Sequence, residues 1–484
     1  MKRYQWAARG DVNAFFGLML DNVAVMVILF STISSTVPIE RQQKEGQYRF
    51  TPNFVLTRMI PGTAIGVLLG DLVYTAMAFR LARRTGRTDV TAMPLGLDTP
   101  STFAVPFLIL LPALRQGHEM GLDHERAMDF AWHVGLVVLV LVGVFKVVCA
   151  PVGNAIRRLV PRAGLLGSLA AIAIALIAFL PMLLEGIAAV PLVGMLALAV
   201  ILWTLVAHRE LPGKFPGALA AVLLGVGVYW LAWWLGHRTG VPLVPDPEPW
   251  QAPEGWRPLA MFAHWGNPAD WWLTVLKAAL AKLPVALPFA VATVVGGIDC
   301  TESAAAAGDE YDTRAILLTE GVASLAAGLL GGVIQTTPYI GHPAYKKMGG
   351  RAAYTLATAL FIGTAGYFGW FTHLFDWLPK AAMFPILIYV GLEITAQSFR
   401  ATPSRHYPAL ALAMLPALAY LITVPLNMAL GGRDPAPFAL EVVQTLRCLA
   451  NGFIVTSLLW AAALAVLLDG RLVRSAAYFA LAGV

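Results

Sequence analysis

Apolar stretches near 20 residues recur along the whole 484-residue chain, and no other feature limits its fold so tightly. Hydrocarbon offers a peptide group no hydrogen bond, so such segments cross a bilayer as helices that satisfy their own backbone. Composition agrees. The chain is 58% hydrophobic and 13% charged, where a soluble domain carries about 25% charged residues. Cys149, Cys300 and Cys448 are scattered through apolar contexts, with neither metal spacing nor a disulfide framework. The opening MKRYQWAARGDVNAFF is basic and passes straight into a span, with no cleavable signal peptide. The net charge of +6 lies in short loops between spans, which reads as topology and not as a nucleic-acid patch.

The reading is an all-α polytopic membrane protein with about fourteen hydrophobic segments. They cover 13–35, 54–79, 94–114, 129–150, 163–181, 184–207, 215–235, 284–307, 314–333, 337–349, 352–372, 381–399, 405–429 and 441–468. The connections RLARRTGR (80–87), RRLVPR (157–162), HRELPGK (208–214), KKMGGR (346–351) and the Arg400/Arg405 loop are rich in Arg and Lys. The excess of positive charge on that side predicts that both termini are cytoplasmic, in a bacterial inner membrane. Residues 236–270 are rich in Pro and Trp and read as an extracytoplasmic linker between two halves, 1–235 and 271–484. The stretch WWLTVLKAALAKL (271–283) reads as an interfacial helix, with Trp anchors and with Lys277 and Lys282 near the headgroups.

The halves echo each other. PLGLDTPSTF (94–103) follows LLGDLV (68–73), and PYIGHPAYKK (338–347) follows LLGGVI (329–334). Short segments broken by Gly and Pro at matching places point to a secondary transporter built on repeats, and seven spans per half makes the repeats inverted.

Ionisable and polar residues at membrane depth are candidates for the site, because a charge there costs several kcal/mol and faces a cavity or a partner. In GGIDCTESAAAAGDE (296–310), Asp299 and Glu302 are three apart and share a helix face. The bland alternative leaves both solvated at the cytoplasmic interface. The first broken segment offers Asp98, Thr99 and Ser101, and the second Thr336, Thr337, Tyr339 and His342. Each half-helix start aims free N–H groups at the membrane centre, although Thr99, Ser101 and Thr337 also suit simple capping. His342 titrates in the range that would link transport to protons, or serves as a structural hydrogen-bond partner. Asp21 and Asn22 lie about two turns inside the first span, and Glu393 reads as structural, either bridging helices or near the cytoplasmic end. No nucleophile elbow, P-loop or zincin motif is present, so no enzyme, cofactor or metal is expected.

From Asp299 to Arg351 the chain resembles the nucleobase–cation symporter-2 superfamily, the xanthine/uracil and nucleobase/ascorbate permeases. TPYIGHPAYKKMGGR (337–351) is similar to the signature of its purine-permease branch, with Tyr339 and Gly349-Gly350-Arg351 matching. Gly341 stands where that branch has a substrate-binding Glu, with His342 beside it. The family's eighth-span acid matches Asp299 in one register and Glu302 in another. The resemblance implies a core of spans 1–4 and 8–11, a gate of spans 5–7 and 12–14, a homodimer, and short extended strands opening the third and tenth segments. It also implies elevator-type uptake of a nucleobase. Protons, or sodium in their place, would be coupled through Glu302, Asp299 or His342, with Gly341 in the substrate site. The alternatives are an anion transporter of the sulfate-permease type on the same fold and a passive channel.

Overall fold

The computed structural model describes the chain except residues 1–3, 36–38, 46–47, 99–100, 103–104, 156–159, 180–181, 184–189, 213–214, 216, 247–265, 372–378, 431–435, 437–438 and 484. Most of the proposed linker, and Thr99, lie outside the described residues. The helices used below are α1 (Gly10–Ile33), α2 (Ile60–Thr85), α3 (Leu111–Glu119), α4 (His124–Cys149), α5 (Arg162–Ile172), α6 (Pro191–Ile201), α7 (Gly217–Thr239) and α8 (Ala269–Ala306). They continue with α9 (Thr313–Leu329), α10 (His342–Lys347), α11 (Ala353–Phe368), α12 (Pro385–Arg400), α13 (Tyr407–Leu430), α14 (Leu440–Ala450), α15 (Phe453–Leu468) and α16 (Leu472–Ala482). Two three-residue strands, β1 (Leu95–Leu97) and β2 (Thr336–Pro338), complete the set.

Local chemistry sets the ends. The Asp123 side chain caps α4 by accepting from Arg126 N at 2.8 Å. Arg83 and Arg84 in the last turn of α2 complement the helix dipole, and Gly86 closes it at φ +67°. Described helices long and apolar enough to cross a membrane number four: Pro52–Thr85, His124–Ala155, Gly217–Thr239 and Ser404–Leu426. Most of the other predicted spans are shorter helices or are interrupted by π-turns, as at Ala173–Phe179 and Leu202–Val206. The chain is thus an all-α, multi-pass membrane protein with unequal segments.

Two expected spans differ in form. Residues 271–283 run without a break into the following span as the first turns of α8, whose 38 residues extend about 57 Å. Its start is tied to α4, where Trp271 Nε1 donates to His133 Nδ1 at 2.9 Å. The segment 441–468 is two helices, α14 and α15, bent by 75°. Gly452, at φ +65°, takes the left-handed turn that other residues resist.

Helices α1, α2, α4, α8, α9 and α11 pack on one another and around the strands. Helices α5, α6, α7, α12, α13, α15 and α16 form a second packed group, and the two meet where α8 crosses α5, where α1 packs on α7 and α12, and where α10 touches α12. β1 and β2 pair antiparallel, with Leu95 opposite Pro338, Gly96 opposite Thr337 and Leu97 opposite Thr336. The two broken segments therefore run antiparallel where they meet.

Candidate functional site

Three-residue strands leave most of their neighbours to be satisfied by side chains, and the site grows from that need. The ladder is extended by Asp98 N donating to Gln335 O at 3.0 Å and Tyr339 N donating to Pro94 O at 2.8 Å. Asp98 then turns the chain into a helix, since its Oδ2 accepts from Ser101 N at 3.0 Å. Ser101 and Thr102 hydroxyls fold back on Asp98 O. The half-helix start expected to present free N–H groups has thus given one of them to its own carboxylate. Gln335 joins in: its Nε2 donates to Asp98 Oδ2 at 3.1 Å, and its Oε1 accepts from Thr293 of α8 at 3.2 Å.

This chain of carboxylate, amide and hydroxyl borders an apolar cleft between the segment after β1, α4 and α8. Val138, Val142, Ala286 and Val333 wall it, with Ser101 and Gln335 as its polar lining. Behind β2, Lys146 of α4 and Glu320 of α9 are fully shielded from solvent and sit 2.7 Å apart. Lys146 Nζ also donates to Thr336 O at 3.0 Å, and Ser324 bonds the Thr336 hydroxyl and amide. On the other side of the strand pair, Asp71 Oδ1 of α2 accepts from Leu95 N at 2.9 Å.

The predicted acids of α8 point elsewhere. Residues Thr293, Gly297 and Cys300 face the strands and α9, as the Cys300 thiol at 3.3 Å from Pro338 O and the close approach of Gly297 to Glu320 and Pro338 demonstrate. Asp299 and Glu302 lie on another face of the helix, toward α5. Asp299 Oδ2 accepts from the Ser168 hydroxyl, and Glu302 Oε1 pairs with Arg162 Nε. They bridge the two helix groups and do not converge on the strand crossing. Shared facing, inferred from spacing, is right; the neighbour they face is not the broken segments.

His342 is also away from the crossing. Its Nε2 lies 3.2 Å from Asp309 Oδ2, in a cluster that adds Lys346 at 2.6 Å and Arg87 at 3.0 Å from the same carboxylate. Asp309 is in the loop after α8, and its Oδ2 accepts from Thr91 N at 3.1 Å. Burial alone would raise this carboxyl, but the hydrogen bonds and charges of His342 and Lys346 outweigh it and hold it at about 2. Glu393 accepts from Lys347 at 2.7 Å and from Arg400, which makes it the bridge between α10 and α12 that its position suggested.

Gly341 has a steric explanation. A Cβ there would stand 2.7 Å from Tyr339 Cε1 and 2.8 Å from Tyr345 Cε2. The two rings, stacked with centroids 6.1 Å apart, occupy the space that a glutamate would need. Asp21 of α1 reaches this place instead. It is buried against Gly96 and close to the Tyr339 hydroxyl, while neighbouring Asn22 folds back to donate to Leu18 O at 3.0 Å. Thr337 lies opposite Gly96 in the strand pair, next to the buried Thr336.

Asp71, Lys146, Glu320, Asp309 and Gln335 were not singled out from sequence. The first three carried a usable signal, a lone ionisable residue in an apolar run: LLGDLV, VGVFKVVCA and ILLTEGVASL. Gln335 and Asp309 flank segment ends and look like loop residues until the chain folds.

No protein-family model matches the chain, and no curated protein matches it. Among solved structures it is similar to the transmembrane domain of a cyanobacterium bicarbonate transporter, BicA, at 15% identity and a TM-score of 0.43, over 86% of this chain and 97% of that one.

Proposed function

We propose that this protein is a secondary active transporter that carries a small, uncharged polar solute together with protons, and that the solute is a nucleobase or a related heterocycle. One observation carries the reading. Among the described residues, Asp21, Asp71, Asp98 and Asp299 are buried carboxyls with no basic side chain in ion-pair contact, while the buried Lys146 is taken by Glu320. Charges in such surroundings are cancelled by protons or cations, and they repel an anion.

The solute site is the strand crossing. Beyond the bonds that tie Gln335 to Asp98 and Thr293, the Gln335 amide on the cleft wall has a second N–H to donate and a second lone pair to accept with, and the Asp98 carboxylate beside it has Oδ1 to accept from ring N–H groups. Heterocycles that alternate N–H and C=O along one edge match that pair, and the Val138 and Val142 wall suits their flat faces. In the elevator scheme, the α1–α2–α4–α8–α9–α11 group carries the solute past the other. The Asp299–Ser168 and Glu302–Arg162 contacts would then break and reform in each cycle.

The anion reading keeps one supporting feature, the Lys146 ammonium behind β2. A thermal-shift screen of purified protein separates the two. Nucleobases, inorganic anions and dicarboxylates are tested at two pH values on wild type, Asp98→Asn and Lys146→Met. A ligand that binds only the native state raises the melting temperature. Stabilisation by a nucleobase, lost in Asp98→Asn, is expected. Stabilisation by an anion, indifferent to Asp98 and lost in Lys146→Met, would replace this reading with the second.

A further inference from the structure

The α8 acids and His342 are held by Arg162, Ser168 and Asp309, which leaves the identity of the proton-carrying group open. Asp21 has the surroundings for it. The residue is 2% exposed, and no basic side chain among the described residues pairs with it. Its Oδ2 and the hydroxyls of Tyr339 and Tyr345 are all buried without a completed hydrogen bond, yet Tyr339 is close to both Asp21 and Tyr345. Three polar oxygens in a row, each short of a partner, cost free energy unless a mobile hydrogen serves them.

Close packing defines the nook. Asp21 Oδ2 would lie 3.6 Å from a Cβ on Gly96, and Tyr345 Cε1 would lie 2.9 Å from one on Gly17. A Cβ on Gly341 would likewise stand 2.7 Å from Tyr339 Cε1 and 2.8 Å from Tyr345 Cε2, so the backbone closes in on both rings. The groups facing Asp21 are Tyr339 after β2, Tyr345 on α10 and the Gly96 backbone. The next acid, Asp71 of α2, acts on Tyr345 along with Asp21. No group of three or more His, Cys, Asp or Glu side chains among the described residues is arranged to hold a metal ion.

We propose that Asp21 is the carboxyl that takes up the coupling proton, with Tyr339 and Tyr345 as the hydroxyl relay that serves it. This rests on the transporter reading above. In the ionised form the Tyr339 O–H donates to Asp21 Oδ2. When a proton binds, an O–H bond forms at Oδ2, the charge is cancelled, and the Tyr339 oxygen accepts from the new acid while its own hydrogen turns toward Tyr345. Tyr339 directly follows β2 and Gly96 lies in β1, two residues before Asp98, so both strands of the solute site feel the change. Asp299 lacks that connection, since its hydroxyl partner is on α5.

Two measurements test this. The first needs no substrate: infrared difference spectra across a pH titration of the reconstituted full chain, wild type against Asp21→Asn. A protonated-acid carbonyl band that is lost on raising the pH, absent in Asp21→Asn and displaced in Tyr339→Phe is expected. Identical wild-type and Asp21→Asn spectra would overturn the proposal, whether or not any nucleobase is transported. The second is uptake of labelled xanthine, uracil and adenine into liposomes under an imposed proton gradient. Asp21→Asn should lose accumulation above equilibrium, and any downhill uptake it keeps should no longer vary with pH. Undiminished proton-driven accumulation in Asp21→Asn refutes the role. Absence of nucleobase uptake by wild type refutes the function proposed above and leaves the infrared result to decide on Asp21.

Discussion

Replacing Lys146 with methionine is the sharpest perturbation of the framework behind the site. Methionine fills nearly the same volume, so the change removes the ammonium and little else. Lys146 and Glu320 both have side chains with 0% exposure, Nζ is 2.7 Å from Oε1, and the same nitrogen holds Thr336 O of β2 at 3.0 Å. An exposed pair would be worth under about 1 kcal/mol. Removing one partner of a buried pair leaves an uncompensated charge and costs about 3–5 kcal/mol, and the lost bond to Thr336 O puts Lys146→Met toward the upper end. Glu320→Gln should be of the same order, because it strands the ammonium. The double variant has no buried charge at this position, so its loss should fall short of the sum of the singles by about 2 kcal/mol or more. Equilibrium unfolding in mixed micelles measures all three against wild type. A loss below about 1 kcal/mol for Lys146→Met, or simple additivity in the double variant, would show that the pair does not hold α4, α9 and β2 together.

Other positions yield equally definite expectations. Gly341→Glu restores the residue found in the purine-permease signature, but its Cβ meets two tyrosine rings at 2.7 and 2.8 Å; it should cost about 1–3 kcal/mol by overpacking and add no purine-induced rise in melting temperature beyond that of wild type. Asp309, held at about 2 against an ordinary 3.8, contributes about 2 kcal/mol that is fully present above pH 4 and lost as the pH falls toward 2; an acid unfolding profile should lose this dependence in His342→Gln/Lys346→Met. Arg162→Ala should change stability by less than about 1 kcal/mol, because the Arg162 side chain is 54% exposed despite its contact with the buried Glu302; a melting curve with a much larger loss would mean that the two helix groups depend on this contact to stay folded.

Reading from sequence succeeded where the cause is local. Hydrocarbon imposes helices on apolar runs, so the positions of α1, α2, α4 and α13 follow from composition and length. Proline and glycine interrupt helices wherever they stand, so the broken segments at 94–114 and 337–349 were legible, and both carry a strand and then a helix. Glu393 was legible as a structural residue, and the structure supplies its partners, Lys347 and Arg400. The segment 441–468 was less legible, since the left-handed turn at Gly452 looks from sequence like any glycine in a membrane helix.

What the sequence by itself determined is that this chain is a multi-pass helical membrane protein with two interrupted segments and a surplus of acids at membrane depth. These are consequences of solvation and backbone chemistry, which act residue by residue. Only the tertiary structure decided which acid meets which partner. Helical spacing puts Asp299 and Glu302 on a common face, but the crossing of α8 with α5 turns that face to Ser168 and Arg162. The antiparallel pairing of β1 with β2 brings Asp98 to Gln335 across 237 residues of sequence and α1 packs Asp21 beside Tyr339. Such pairings depend on how helices pack against one another, and that is settled by the shapes of all of them together.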